Sequence, residues 1–295
     1  MPKKNPKWTC KELSRNVHRV TFDLNSRSGK AYVLLRSDAH HDNPDCLQSM
    51  EKRHLDQAKE RNAPIIDNGD AFCAMQGRWD KRSDKSALRP EHQVDDYLDA
   101  LVSTYSDFLE PYASQFAVFG TGNHETSILK HHETNLTERL VERLKTKTGA
   151  NIYTGSYTSW VFLSIKRPNH PTITGTIKLW RTHGEGGGAP VTRGVIQTNR
   201  RSVYMPDANV IVSGHIHNEW ILPITRVRVT ERGRVYHDEQ LHLQIPSYKD
   251  SYKDGYSYGE WAIERGMPPK PVGAMWLKLY LGSDDMIACE VERAK

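Results

Sequence analysis

Apolar and polar positions alternate at Val20, Phe22 and Leu24, the two-residue period of a half-buried strand. After an Asn25-Ser26-Arg27-Ser28-Gly29 turn the apolar positions become continuous at Ala31-Tyr32-Val33-Leu34-Leu35. The pair predicts a hairpin whose second strand is buried on both faces. A charged, helix-favouring stretch covers residues 45–62, and Pro64-Ile65-Ile66-Asp67 is a short buried strand. A long polar connection, residues 72–90, leads to a helix over 90–109, where Val94, Leu98, Leu101 and Leu109 fall near helical spacing. Phe116-Ala117-Val118-Phe119 is a further strand, and a helix over 134–147 stops at Gly149. The pattern then changes to strands at 157–165, 172–182, 210–213, 221–230, 235–245 and 274–281, with a surface loop over 246–273. Alternation of strand and helix followed by strands predicts an α/β chain: two sheets packed face to face, flanked by helices, in one domain over 1–295.

Composition narrows the classes open to such a chain. With 37% hydrophobic and 26% charged residues, its 295 residues form an ordinary globular balance and exclude wholesale disorder. No apolar run approaches the roughly 18 residues of a membrane span. The basic start, Met1-Pro2-Lys3-Lys4, lacks the apolar stretch of a secretory signal, so a cytoplasmic location is expected. Cys10, Cys46, Cys73 and Cys289 form no CxxC pair and read as reduced thiols. A net charge of +5 accommodates a polyanionic substrate without requiring one.

Chemistry gathers where the predicted strands end. Asp38 and His40 follow Val33-Leu34-Leu35, Asp70 follows Ile65-Ile66, and Asn123 and His124 follow Val118-Phe119. His215 and His217 follow Val210-Ile211-Val212, and His183 follows Leu179-Trp180. Ligands bind at the carboxyl ends of strands in open α/β sheets. Carboxylate, imidazole and amide oxygens without thiolates suit borderline divalent ions such as manganese, iron, zinc or nickel, and argue against a structural zinc site. Asp38 with His40, and His215 with His217, are two apart, so an extended backbone would aim each pair to one side. His170 and His242 rival His183 but lack its strand-end setting beside glycine.

Asp38-Ala39-His40, Gly69-Asp70, Gly122-Asn123-His124-Glu125, His183 and Gly214-His215-Ile216-His217 stand in that order over residues 31–218. This set resembles the calcineurin-like metallophosphoesterases, whose pattern is D-x-H, G-D, G-N-H-[DE], a lone H and G-H-x-H. The resemblance implies a four-layer αββα fold and two divalent metal ions, manganese being favoured. It implies that Asp38, His40 and His217 hold one ion, that Asn123, His183 and His215 hold the other, and that Asp70 bridges them. His124 would lie beside the scissile phosphate, and Glu125 would orient His124 or support the ligands from behind. Two ions about 3.5–4 Å apart would polarise the phosphoryl group and activate a bridging hydroxide for in-line attack.

The flanks bear on the substrate. His41 and Asp42 read as supports or solvated loop residues, with a further ligand as the alternative. Gly184-Glu185-Gly186-Gly187-Gly188 lacks the Gly-Lys-Ser/Thr ending of a nucleotide P-loop and reads as a turn that lets His183 reach inward. Beyond it, Arg193, Arg200 and Arg201, with Gln197 and Asn199, are candidate substrate contacts. Tyr248, Lys249, Tyr252, Lys253, Tyr256, Tyr258 and Trp261 have a composition that suits single-stranded nucleic acid, although tyrosines packing on the sheet explain it more simply. The expected function is a phosphohydrolase, favoured as a phosphodiesterase on nucleotides or nucleic acid. The alternative is a phosphomonoesterase of the protein-phosphatase type, which usually carries G-N-H-E-x-R where this chain has Glu125-Thr126-Ser127. A metal-stabilised scaffold is the non-enzyme alternative; scaffolds typically lose a motif position, and this chain keeps every one.

Overall fold

The computed structural model describes residues 5–76, 83, 88–189, 191–252, 260–264, 266–282 and 286–295. Its first two strands, β1 (Lys7–Ser14) and β2 (Val17–Asp23), pair antiparallel. After them come β3 (Lys30–Arg36), α1 (Gln48–Arg61), β4 (Ile65–Asp67), α2 (Tyr97–Leu109), β5 (Phe116–Phe119), α3 (Asn123–His132), α4 (Leu136–Thr148) and the short β6 (Tyr153–Thr154). The second half holds β7 (Thr158–Lys166), β8 (Ile173–Thr182), α5 (Val195–Tyr204), β9 (Val210–Ser213), β10 (Trp220–Val229) and β11 (Val235–Gln244). It closes with α6 (Glu260–Glu264), β12 (Met275–Leu281) and β13 (Ile287–Arg293). One sheet runs β1-β2-β7-β8-β9-β11-β10, the other β13-β12-β3-β4-β5-β6.

The two sheets face each other across a core that includes Val20, Phe22, Val33, Leu35, Ile66, Val118, Leu163, Leu179, Val210 and Leu277. A second core lies on the far side of the six-stranded sheet, where Leu34, Ile65, Phe116 and Phe119 meet Leu55, Leu101, Tyr105, Leu140 and Leu144 from the helices. Period two sends Val33 and Leu35 into one core and Leu34 into the other, which accounts for the continuous apolar run in β3. Burial of each such side chain stabilises the fold by about 1.5–3 kcal/mol. A small cluster of Trp180, Ala208 and Ile211 packs with Met205 at the end of α5. The fold is a two-sheet α/β sandwich flanked by helices. Among the described residues no helix is long and apolar enough to cross a membrane, and the four cysteines are unpaired.

Several expectations need correction. β2 and β3 form no hairpin: β2 pairs with β1 and β7, β3 with β4 and β12, so the turn between them crosses from one sheet to the other. Val20 and Phe22 from one sheet and Val33 and Leu35 from the other meet in the core between the sheets, which requires the two strands to lie in different sheets. α2 starts at Tyr97 and is preceded by a short 3-10 turn at Pro90–His92, which leaves Val94 exposed. Residues 246–273 are not simply a surface loop, because Ser247, Tyr248 and Lys249 are buried.

Candidate metal centre

The five polar segments leave the carboxyl ends of β3, β4, β5, β8 and β9, and the first three of these strands, like the last two, are neighbours in their sheets. Carboxylates, imidazoles and an amide therefore converge at one end of the sandwich. The backbone there is unusual. Asp38 (φ 53°), His40 (43°), Asp70 (52°), His215 (70°) and His217 (52°) all occupy the left-handed region. Asp and His tolerate it better than most side chains, yet such residues still cost on the order of 1–3 kcal/mol each when the surroundings force them. Tight turns, not the alternation of an extended strand, thus bring Asp38 to His40 and His215 to His217. Close approach also explains two motif glycines. A side chain on Gly122 would collide with the Asp70 carboxylate, and one on Gly214 with Ser37 and Asp38.

Two groups of donors result. In the first, His217 Nε2 lies 3.2 Å from Asp38 Oδ1 and 3.2 Å from His40 Nε2, and His40 Nε2 lies 3.9 Å from Asp38 Oδ1. In the second, His183 Nε2 lies 3.1 Å from Asp70 Oδ2 and 3.0 Å from Asn123 Oδ1, which is 2.7 Å from His215 Nδ1. Asp70 Oδ2 is also 4.0 Å from His40 Nε2, so it faces both groups. Ligands that share an ion at about 2.0–2.2 Å each stand no more than about 4.4 Å apart. Every separation meets that limit, and the nitrogen and oxygen donors suit a borderline divalent cation. The residues fit a metal.

Electrostatics favour the same reading. Burial opposes ionisation of Asp38 and Asp70, but the imidazoles around them, His183 foremost, hold both carboxyls below their ordinary range. Burial also opposes a charge on His183, yet Asp70 and Asp38 more than offset it and raise that imidazole to about 9. The carboxylates therefore call for positive charge at this spot. Burial, with His124 beside it, keeps His40 well below the ordinary range, and burial, with His183 beside it, lowers His215. Both shifts favour the neutral ring, the form in which imidazole binds a cation.

Further residues hold the donors in place. His183 Nδ1–H donates to the Asn68 carbonyl at 3.0 Å, which leaves Nε2 facing Asp70. Asn68 is itself gripped by the fully buried Arg181, whose Nε donates to Asn68 Oδ1 at 2.9 Å. Glu125 is buried and makes no hydrogen bond to the His124 imidazole. It accepts the backbone N–H groups of Gly122 (2.8 Å), Phe72 (3.0 Å) and Asp70 (3.1 Å), tying the Asp70 loop to α3. His124 Nδ1–H instead donates to the Cys73 carbonyl at 2.5 Å, and its Nε2 stands 3.8 Å from Asp70 Oδ2. His41 stacks on Tyr105 and meets Glu51 at 2.9 Å. Asp42 accepts the N–H groups of Cys73 and Ala74. Both are buried supports and not solvated loop residues.

The remaining candidates separate. Arg193 and Arg200 are exposed. Arg201 is buried and bound to Glu185 at 2.9 Å, so its guanidinium is paired with the glycine-rich loop. His170 is bonded to Thr172, and His242 to Gln240, and neither joins the donors. Tyr248 is fully buried with its hydroxyl 3.0 Å from His54 Nδ1, whereas residues 253–259 and the Trp261 side chain lie outside the described residues. Sequence reasoning missed Cys73, Asn68 and Arg181. Asn68 stands beside the Gly69-Asp70 motif, but nothing marked the other two.

No protein-family model matches the chain, and no curated protein matches it. Among solved structures it is similar to Vacuolar Protein Sorting 29 from Cryptosporidium parvum, with 13% identity over 90% of this chain and 98% of that one, at a TM-score of 0.39. Vps29 from Entamoeba histolytica complexed with zinc gives 12% identity over 89% and 98%, at 0.37. A predicted phosphoesterase from Streptococcus pneumoniae gives 12% over 90% and 99%, at 0.30. At such values the donor geometry, and not the likeness, carries the functional reading.

Proposed function

We propose that this protein is a phosphohydrolase working with two divalent cations, manganese favoured. One would be held by Asp38, His40 and His217, the other by Asn123, His183 and His215, with Asp70 shared. The observation that carries the reading is the pair of donor groups on either side of Asp70 Oδ2, with an imidazole that belongs to neither pair, His124, at 3.8 Å from the same oxygen. Bound there, the cations would polarise a phosphoryl group and make a water acidic near neutral pH. His124 would supply the acid: with Nδ1–H committed to the Cys73 carbonyl, the imidazolium form carries its second proton on Nε2 and would give it to the leaving oxygen, returning to the neutral ring. Glu125, Asn68 and Arg181 keep the donors from shifting.

The substrate we favour is a phosphodiester of a nucleotide or nucleic acid. Support comes from the exposed Arg193 and Arg200 beyond the His183 loop and from the +5 net charge. The test is a panel with manganese: bis-para-nitrophenyl phosphate, para-nitrophenyl phosphate and single-stranded DNA, with elemental analysis of protein purified without chelator. Up to two transition-metal equivalents and turnover of the diesters are expected. Less than half an equivalent with no recovery on adding manganese sinks the metal reading. A strong preference for the aryl monoester replaces the diesterase by a phosphomonoesterase.

A further inference from the structure

Lys249 is a buried cation to which the chemistry above gives no task. Only 8% of it is exposed. Among the described residues its ammonium has one hydrogen-bond partner, Cys73 Sγ at 3.9 Å, and no carboxylate within ion-pair distance. A thiol is a weak acceptor and does not stand in for a carboxylate. Buried charges are ordinarily paired, because an uncompensated one is costly to hold away from water.

Its surroundings say where a partner belongs. Cys73 Sγ lies within 4.8 Å of donor nitrogens of both His40 and His124, so the ammonium stands at that edge of the centre. The backbone under it is fixed to the loop that carries Asp38. Ser247 Oγ–H donates to the Asp38 carbonyl at 3.0 Å and Tyr248 N–H at 3.1 Å, and Lys249 N–H donates to Ser247 Oγ at 2.8 Å. On the far side, Leu47 N–H donates to the Tyr248 carbonyl at 2.9 Å and Asp250 N–H to the Asp45 carbonyl at 3.0 Å. A lysine whose stem merely covers apolar surface while its ammonium reaches for water needs no such anchorage. Once two divalent cations are bound, Asp38, Asp70 and Glu125 do not cancel them, and another cation beside them favours an anionic ligand.

We propose that Lys249 is a substrate-binding cation, its ammonium taking a non-bridging phosphoryl oxygen at the His40–His124 edge of the centre. The assignment rests on the phosphohydrolase reading, and it places the substrate's phosphoryl group between the donors and the 247–249 segment.

Lys249→Met and Lys249→Gln test it in the manganese-loaded protein, with orthophosphate as the probe. Calorimetric affinity for orthophosphate should fall roughly 10–100-fold, the scale of one lost charge-assisted hydrogen bond. KM for bis-para-nitrophenyl phosphate should rise with kcat less affected, the mark of lost binding to the ground state. Manganese content should stay constant. Because the ammonium has no carboxylate partner among the described residues, Tm of Lys249→Met should not drop. Unchanged orthophosphate affinity in both variants, or no orthophosphate binding by the unmodified protein, overturns the proposal. So does a fall in Tm or manganese content, which would make Lys249 structural. If the unmodified protein hydrolyses none of the panel while both variants still weaken orthophosphate binding, the Lys249 role stands and the hydrolase reading fails.

Discussion

Replacing Asp70 by Asn removes one charge and almost no volume. The carboxylate's Oδ2 stands 3.1 Å from His183 Nε2, 4.0 Å from His40 Nε2 and 3.8 Å from His124 Nε2, so it belongs to both donor groups at once. Its Oδ1 accepts the His124 backbone N–H at 2.9 Å, a bond that an amide oxygen can keep. The amide NH2 must then turn toward His183, where an acceptor is needed. The lost charge acts on both sites. At an effective dielectric constant near 20, a charge pair about 4 Å apart is worth about 4 kcal/mol. That corresponds to a roughly 10³-fold loss of affinity for each ion. Manganese titration of the chelated protein by calorimetry, with elemental analysis and turnover of bis-para-nitrophenyl phosphate, measures both. We expect the two sites to weaken together and turnover to vanish, while Tm of the chelated variant shows that the fold persists. A variant that loses one equivalent, keeps the other at its original affinity and retains substantial turnover would refute the reasoning, because Asp70 would then serve a single site.

His124→Ala should keep its manganese while kcat falls roughly 10²–10⁴-fold, the scale of general acid help; loss of a metal equivalent would make His124 a ligand. Arg200→Glu should raise KM for an oligonucleotide far more than for the aryl diester, through a lost phosphate contact. Equal effects on both substrates would count against the nucleic-acid reading. Arg201→Glu should instead destabilise the protein, since it sets two carboxylates against each other at Glu185. Glu51 governs acid stability. Burial opposes its ionisation, but Arg36 at 2.9 Å, His41 and Tyr105 hold it down at about 2, against an ordinary 4.5. A carboxyl depressed on folding stabilises above its unfolded pKa, and that contribution disappears as pH falls through the folded value. The depression corresponds to about 3 kcal/mol at neutral pH. Denaturant unfolding should therefore show a gap between the natural protein and Glu51→Gln that narrows between pH 4.5 and pH 2; a gap independent of pH would show that the charge on Glu51 is not what stabilises.

Much of the fold was legible because burial writes a period into a strand or helix. β5, β8 and β9 stand within a residue or so of their expected places, since each is apolar on faces that the sandwich covers. Partner choice is another matter. β2 and β3 looked like a hairpin because they are consecutive, but pairing is decided by what lies across the sheet, and the strands opposite β3 come from residues 65–67 and 275–281. β1 and β13 went unread for a different reason. They are edge strands, β1 mostly exposed and β13 without a fully buried residue, so the apolar pattern is too sparse to register. α3 was masked by its own motif: Asn123, His124 and Glu125 read as site chemistry although they form its first turn.

The centre shows the same division between what a residue is and where the fold sends it. Candidate donors were readable because Asp, His and Asn at strand ends have few structural uses there. Their geometry was not, since the convergence of Asp38 with His40 depends on left-handed backbone that no spacing rule supplies. Charged neighbours were the hardest. Arg201 and Lys249 sit in comparably basic stretches, and sequence gives no reason to treat them differently. Folding hands Arg201 a carboxylate and seals it, while Lys249 is carried to within 3.9 Å of a thiol beside the donors. A cation's role is thus set by whether the chain has already neutralised it. By that criterion Arg201, a candidate substrate contact in the sequence, is paired within the protein, and the lysine assigned to a surface loop is the one proposed to meet the substrate.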